Sequence, residues 1–286
     1  MRTHREYNFN PTTLTMDAAL QRRVQRYGWD KAASFYEAYW QKQLRPAQEK
    51  LLAFANAQQG EKVIDIACGT GLVSFKASAS VGNSGFVLGT DISDKMVELS
   101  TAIANGKGIA NARFARMDAE ELIAGDETYD VALCALGLMY VPDPLKAVKE
   151  MFRVLKEEGR AVAAVWGQRI HCGWADIFEI VDKRVSSEVC PLFFNLGNAD
   201  VLKRVFIMAG FKNVNAERIS TVLEYKSDEE ACGAAFAGGP VALAYNKFSN
   251  AIREEAHAEY LDSIKQYKTT NGYEVPGEFV IAVGYK

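Results

Sequence analysis

Along the middle of the chain, short apolar runs rich in β-branched residues alternate with longer stretches of helical character. The runs predict strands at 62–66, 85–91, 112–117, 129–135 and 160–166, with helices at 71–80, 93–105 and 143–155 between them. Tyr129–Ala135 is apolar throughout after Asp130, as a central strand covered on both faces must be. The helix over 143–155 leads to Gly159, a residue type that ends helices by entering the left-handed region. Alternation of this kind implies right-handed crossovers and a parallel sheet. A helix at 198–209 and strands at 212–225 and 278–285 extend the pattern to seven strands, the last two antiparallel. The expected fold class is therefore α/β, a mostly parallel sheet with helices on both faces.

Two segments fall outside that alternation. From Ala18 to Ala57 the residues are mostly helix formers, with Tyr36, Trp40, Leu44 and Leu51 as buried positions. This predicts two or three helices forming a cap over 1–58, after a polar stretch at 1–14. Residues 226–275 exceed the hairpin that would join two neighbouring strands. They combine a small-residue segment containing Gly233, Gly238, Gly239 and Pro240 with a helix over Phe248–Tyr267, and read as a lid inserted before a last strand at 276–286. No repeat or linker divides the chain, so 1–286 reads as one domain with its core at 60–225.

The first strand carries the chemistry. Val63–Ile66 contains Asp65 and breaks into Gly69-Thr70-Gly71 before a helix. Glycines there let backbone N–H groups approach a ligand, with a positive helix terminus behind them. The next strand ends at Asp91, where a carboxylate can hold a ribose diol. Together these open a Rossmann-like unit for an adenine nucleoside. A dinucleotide site would carry a third glycine where Ser74 stands, and would keep an acid such as Asp65 away from pyrophosphate. A carboxylate there suits a ligand bearing an ammonium or sulfonium.

At this point Asp65-Ile66-Ala67-Cys68-Gly69-Thr70-Gly71 resembles the first motif of class I S-adenosylmethionine-dependent methyltransferases. Asp91-Ile92-Ser93-Asp94-Lys95-Met96 is similar to their second motif, in which the Asp takes the ribose and Ile92 and Met96 would cover the adenine. Arg113–Glu120 is similar to their third strand; by resemblance Asp118 accepts from the adenine amine and the Ala119 N–H donates to the ring. The resemblance thus implies S-adenosylmethionine as cofactor, held by Asp65, Ala67, Gly69, Gly71, Asp91, Ile92, Met96, Asp118, Ala119 and Ala135. One isolated Asp is more readily an exposed turn residue or a helix cap. Three at successive strand ends, in register with a glycine turn, are not so explained.

Composition narrows the partner. Of the 286 residues 49% are apolar, enough for a substantial core, and the formal net charge is −3. No Lys/Arg cluster interleaved with aromatics appears, so no nucleic-acid partner is expected. No apolar run approaches the roughly 18 residues that cross a bilayer, and none follows Met1-Arg2-Thr3 as a secretory signal would. Five cysteines, Cys68, Cys134, Cys172, Cys190 and Cys232, lack metal-ligand or disulfide spacing. Reduced thiols in a cytoplasm, no membrane and no metal are the expectation.

The acceptor is less defined. Strand 129–135 runs into Leu136-Gly137-Leu138-Met139-Tyr140-Val141-Pro142-Asp143, without the Asn/Asp-Pro-Pro-aromatic motif of enzymes that methylate planar amides or amines. Small-molecule relatives often carry His near Leu138 or Met139, and this chain does not. Strand 160–166 leads to His171, which titrates near neutrality and could take a proton from the acceptor; His4 and His257 lie at the two ends of the chain. Tyr36, Tyr140, Arg169, Trp174 and Pro191–Asn195 are further pocket candidates. Methyl transfer needs little covalent help, since alignment and water exclusion can supply much of the rate. The expected reaction is methyl transfer to an O, N, S or C atom of a small molecule: a quinone or polyketide-like ring, or equally an amine or thiol. A methyltransferase acting on a protein or RNA, a catalytically silent partner subunit and a nucleotide-dependent oxidoreductase are the alternatives.

Overall fold

The computed structural model describes residues 17–185 and 193–286. In chain order the main elements are α1 (Ala18–Ala55), β1 (Lys62–Ile66), α2 (Leu72–Val81), β2 (Phe86–Asp91), α3 (Asp94–Gly106), β3 (Ala112–Arg116), β4 (Tyr129–Ala135) and α4 (Pro144–Val154). They continue as β5 (Leu155–Trp166), α5 (Ile177–Asp182), α6 (Val201–Met208) and β6 (Lys212–Tyr225). Then come α7 (Asp228–Cys232), α8 (Ala242–Tyr245), α9 (Asn250–Ile264), β7 (Lys268–Thr269) and β8 (Gly272–Tyr285).

The strands lie in the order β3-β2-β1-β4-β5-β8-β6, with two-residue β7 paired to β8 outside that path. Pairings from β3 to β5 are parallel; those of β8 with β5, β6 and β7 are antiparallel. Between β1 and β4 the order reverses, and ligands in such sheets bind beyond the carboxyl ends of the strands at that point. β1 and β4 are central, and Val63, Ile64, Val131, Ala132 and Leu133 are fully buried. Local signals set the helix starts: Ser93 Oγ accepts from Met96 N at α3, and Asp143 accepts from Lys146 N with Pro144 in the first turn of α4.

Three boundaries depart from the sequence expectation. The cap is one 38-residue helix, α1, rather than two or three. It runs through Pro46, whose missing N–H removes one intrahelical bond; Leu44, Ala47, Leu51 and Ala55, buried on either side of Pro46, hold the axis on the sheet. Second, α4 ends at Val154, and Gly159 sits inside β5 rather than capping the helix. Leu155 already pairs with Tyr129 across a register shift, and Lys156 Nζ meets Asp130 Oδ1 at 2.7 Å, so pairing to β4 takes over before the glycine. Third, the last strand begins at Gly272, so the inserted segment ends several residues earlier than expected, and its long helix stops at Ile264 in a short 3₁₀ turn.

Candidate active site

Beyond the carboxyl ends of β1, β2 and β4 a cleft opens, about 710 Å³ with its mouth included. The turn after β1 forms its floor. Ala67, Gly69 and Gly71 all take positive φ, at 55°, 55° and 90°, the region that disfavours side chains. A β-carbon at Gly71 would stand 2.8 Å from the Phe75 ring, so this position is closed to anything larger.

Two buried carboxylates sit under that turn. Asp91 Oδ2 accepts from Gly69 N and Oδ1 from Ser93 N, each at 2.9 Å, so the acid shapes the loop it faces. Burial pushes its carboxyl up to about 6, against the pull of those N–H donors. Asp65 is fully buried; its Oδ2 accepts from Ser74 Oγ at 2.5 Å. Its Oδ1 has no partner among the described residues. Burial first, and the Asp91 charge with it, raise the Asp65 carboxyl to about 7 in spite of Ser74. Neither acid has an ion-pair partner among the described residues, so a positively charged ligand would favour their ionised forms.

Ala67, Gly69, Asp91, Ile92, Met96, Asp118, Ala119 and Ala135 line the cleft; Asp65 and Gly71 stand behind its surface. Asp118 is held by protein partners at the cleft wall. Its carboxylate meets Arg22 Nε at 2.8 Å and accepts from Glu120 N at 2.9 Å, while Glu120, nearly fully buried, also pairs with Arg22. Helix α1 is thereby tied over the cleft, with Arg26 on Asp94 and Asp30 accepting from Ser93 Oγ at 2.6 Å. Arg22, Gln25 and Trp29 enter the lining from that helix. They were missed in the sequence, although with Tyr36, Trp40 and Leu44 they follow a helical period along one face.

A second cavity, about 330 Å³ with its opening included, adjoins the first. Trp29, Tyr36, Leu136 and Tyr140 line both, so they stand at the junction. Leu136 holds a φ of 65°, an unusual conformation for a branched residue, at that same junction. Trp40, Trp166, Trp174 and Phe193 wall the far side, with Gly239 and Pro240 from the inserted segment. Of the predicted wall 191–195, Pro191 and Leu192 lie outside the described residues, as do His4 and Cys190. No carboxylate, imidazole or amine lines this second cavity among the described residues.

His171 lines neither cavity. Its Nδ1 meets Glu278 Oε2 at 2.8 Å and its side chain is half exposed. The structure therefore does not bring the sequence's proton-transfer candidate to the site. Arg169 likewise faces Glu179, at 2.8 Å.

Residues 40–222 match the model of the ubiE/COQ5 methyltransferase family. The chain belongs to that family. It is similar to the demethylmenaquinone methyltransferase of Staphylococcus carnosus, 30% identical over 205 residues, covering 65% of this chain and 84% of the relative. It is also similar to the ubiquinone/menaquinone biosynthesis C-methyltransferase UbiE of Pasteurella multocida, 30% identical over 181 residues, 58% of this chain and 68% of that one. In fold it is similar to the crystal structure of the YcgJ protein of Bacillus subtilis, with a TM-score of 0.58 at 18% identity over 85% of this chain and 98% of the other. The protein is an S-adenosylmethionine-dependent methyltransferase with a small-molecule acceptor. The orphaned acid beneath the glycine turn fits that cofactor's cationic end, and no helix among the described residues is long and apolar enough to cross a membrane.

Proposed function

We propose that the acceptor is a reduced quinone, methylated on a ring carbon. The observation that carries this reading is the aromatic cavity joined to the cofactor cleft at Trp29, Tyr36, Leu136 and Tyr140. Its walls suit a flat, uncharged ring and give an ammonium or carboxylate no counter-charge. The activities named for the Staphylococcus and Pasteurella relatives point the same way.

In this reading Asp91 holds the ribose hydroxyls, and Asp65 faces the cationic end across the glycine turn. Ile92, Met96 and Ala119 enclose the adenine, while Arg22 keeps Asp118 and Glu120 in place beneath α1. When bound, S-adenosylmethionine would supply an electrophilic methyl group for a ring carbon of the acceptor. Tyr36 and Tyr140 align the ring with the junction, and the tryptophan walls exclude water from it. The inserted segment closes one wall through Gly239 and Pro240. We place the reaction in a cytoplasm, with no nucleic-acid partner.

The test is turnover with methyl-labelled S-adenosylmethionine under reducing conditions. A short-chain naphthoquinol lacking the ring methyl should gain one labelled methyl on carbon, read by mass spectrometry with fragmentation. Label on an amine or thiol panel, with none on the quinol, would overturn the reading.

A further inference from the structure

We infer that the indole N–H groups of Trp40 and Trp174 are the hydrogen-bond donors that receive an oxygen of the acceptor ring. The inference rests on the aromatic-acceptor reading above and assigns the residues that would select for oxygen.

Both indoles line the second cavity. Trp40 is 5% exposed and Trp174 3%. In each, the Nε1 atom is buried and has no hydrogen-bond partner among the described residues. Buried tryptophan N–H groups ordinarily find one, and two orphans in the walls of one small cavity need a common cause. The rings are close, with centroids 6.1 Å apart, and both pack on Trp166 at 6.1 and 4.7 Å. An indole N–H only donates. The missing partner must therefore be an acceptor atom, which a hydrocarbon and an ammonium ion lack and a quinol or quinone oxygen provides.

Gly238 and Gly239 of the inserted segment lie against that edge of Trp40. A β-carbon on Gly238 would stand 3.3 Å from Trp40 Nε1, and one on Gly239 3.9 Å from the same ring. These glycines follow a π-helical turn at Gly233–Ala237, a distortion often met at functional sites. Trp174 stands on the loop after β5. That loop is pinned by Glu278, whose Oε1 accepts from Gln168 N at 2.9 Å and from Arg218 Nη1 at 2.9 Å. Both donors thus sit on supported backbone, one on α1 and one on a loop braced by the last strand. The remaining lining offers mostly apolar surface, so a ligand oxygen has few rivals for these two bonds.

The experiment compares 1,4-dihydroxynaphthalene with naphthalene as probes, using the full chain with S-adenosylhomocysteine bound. Wild type should bind the oxygenated probe at least tenfold more tightly by calorimetry. Trp40→Phe and Trp174→Phe, which keep a ring and remove the donor, should each shrink that preference about threefold to tenfold. Affinity for S-adenosylhomocysteine should stay unchanged. An undiminished preference in both variants would overturn the assignment alone. Failure of wild type to bind either probe would instead overturn the aromatic-acceptor reading and the assignment with it. Should a variant not fold, wild type labelled with ¹⁵N at tryptophan Nε1 gives the same answer. Two indole N–H resonances should move downfield with the dihydroxy probe and not with naphthalene, and unmoved resonances on saturation would again refute the donors.

Discussion

The two chambers of this methyltransferase are built on opposite principles. The cofactor cleft is organised by charge: Asp65 and Asp91 are buried beneath a glycine turn, and Arg22 joins Asp118 to Glu120 at its rim. The aromatic cavity is walled by Trp40, Trp166, Trp174 and Phe193, and no carboxylate, imidazole or amine lines it among the described residues. On the proposed reading, one chamber recognises a ligand by where its charges and diol lie, and the other confines a ring and keeps water out. Such a division fits a reaction whose reactive carbon is supplied already activated, so that the acceptor side needs shape before it needs acid–base chemistry.

Removing the charge should hurt the first chamber most. Asp91 holds both Gly69 N and Ser93 N, so its loss loosens the loop and, on the proposed reading, removes a ribose ligand as well. Hydrogen bonds to a charged group are worth roughly 1.5–3 kcal/mol. Asp91→Ala should therefore weaken S-adenosylhomocysteine binding about tenfold to a hundredfold by calorimetry, leaving dihydroxynaphthalene binding to the aromatic cavity much less affected. Unchanged cofactor affinity in a folded variant would end the assignment of Asp91 to the ribose.

A pH series separates the chambers without mutation. Asp65 at about 7 and Asp91 at about 6 lie above the roughly 4 of carboxyls in an unfolded chain. Between these limits the folded protein binds more protons than the unfolded one, so the stabilising contribution of these acids is full below pH ~4. It is lost as pH rises through 6 and 7. A ligand carrying an ammonium favours the ionised acids and runs against that trend. Affinity for S-adenosylhomocysteine should rise about tenfold from pH 5 to pH 8, while naphthalene binding should stay flat. A flat profile for both ligands would mean that neither acid answers the ligand's charge.

The same division explains what could be read from the sequence. Strand alternation fixed the sheet, because buried strands must be apolar and their order follows from crossovers. The residues of the cleft stood at strand ends in a restricted pattern, since an acid under a glycine turn has few other uses. Ser74 was legible only as an absent glycine, whereas the fold makes it the hydrogen-bond partner of Asp65. Asp118 was legible as a strand-end acid, but not its engagement by Arg22, which lies nearly a hundred residues earlier. The aromatic cavity draws on α1, the turn after β4, the loop after β5 and the inserted segment. Its residues are ordinary core types at distant positions, and tryptophans facing a cavity cannot be told by type from tryptophans filling a core. α1 is continuous although Gly28 and Pro46 are weak helix residues; a β-carbon at Gly28 would only touch Leu243 at 3.7 Å, and packing overrides both.

A bulky side chain in the inserted segment tests the second chamber directly. A β-carbon on Gly239 would sit 3.3 Å from the Ala234 carbonyl oxygen and 3.4 Å from that of Ala235. The branches of a valine must then turn toward the cavity this residue lines. Gly239→Val should raise the acceptor KM several-fold, with cofactor affinity within twofold of wild type. Wild-type kinetics, together with equal hydrogen exchange over residues 226–271 in the free and ternary states, would reduce the segment to a surface excursion.

The smallest effect is expected at His171, and its smallness is informative. A general base must reach the proton it removes, within about 2.6–3.2 Å or through one water, whereas this imidazole lines neither chamber and leans on Glu278. Glu278 keeps Gln168 N and Arg218 Nη1 as donors when the imidazole is gone, so the loop that carries Trp174 retains its anchor. A half-exposed pair of this kind contributes at most about 1 kcal/mol. His171→Ala should accordingly leave kcat within about twofold of wild type and raise the acceptor KM no more than that, with cofactor affinity unaltered. Glu278→Gln is the sharper companion: it weakens the pairing with Arg218, and its larger shift should fall on acceptor KM while kcat holds. A tenfold loss of kcat in His171→Ala, at normal cofactor affinity and unchanged KM, would return the imidazole to proton transfer. It would also mean that the second chamber is served by acid–base chemistry after all, and the contrast between the chambers would have to be redrawn.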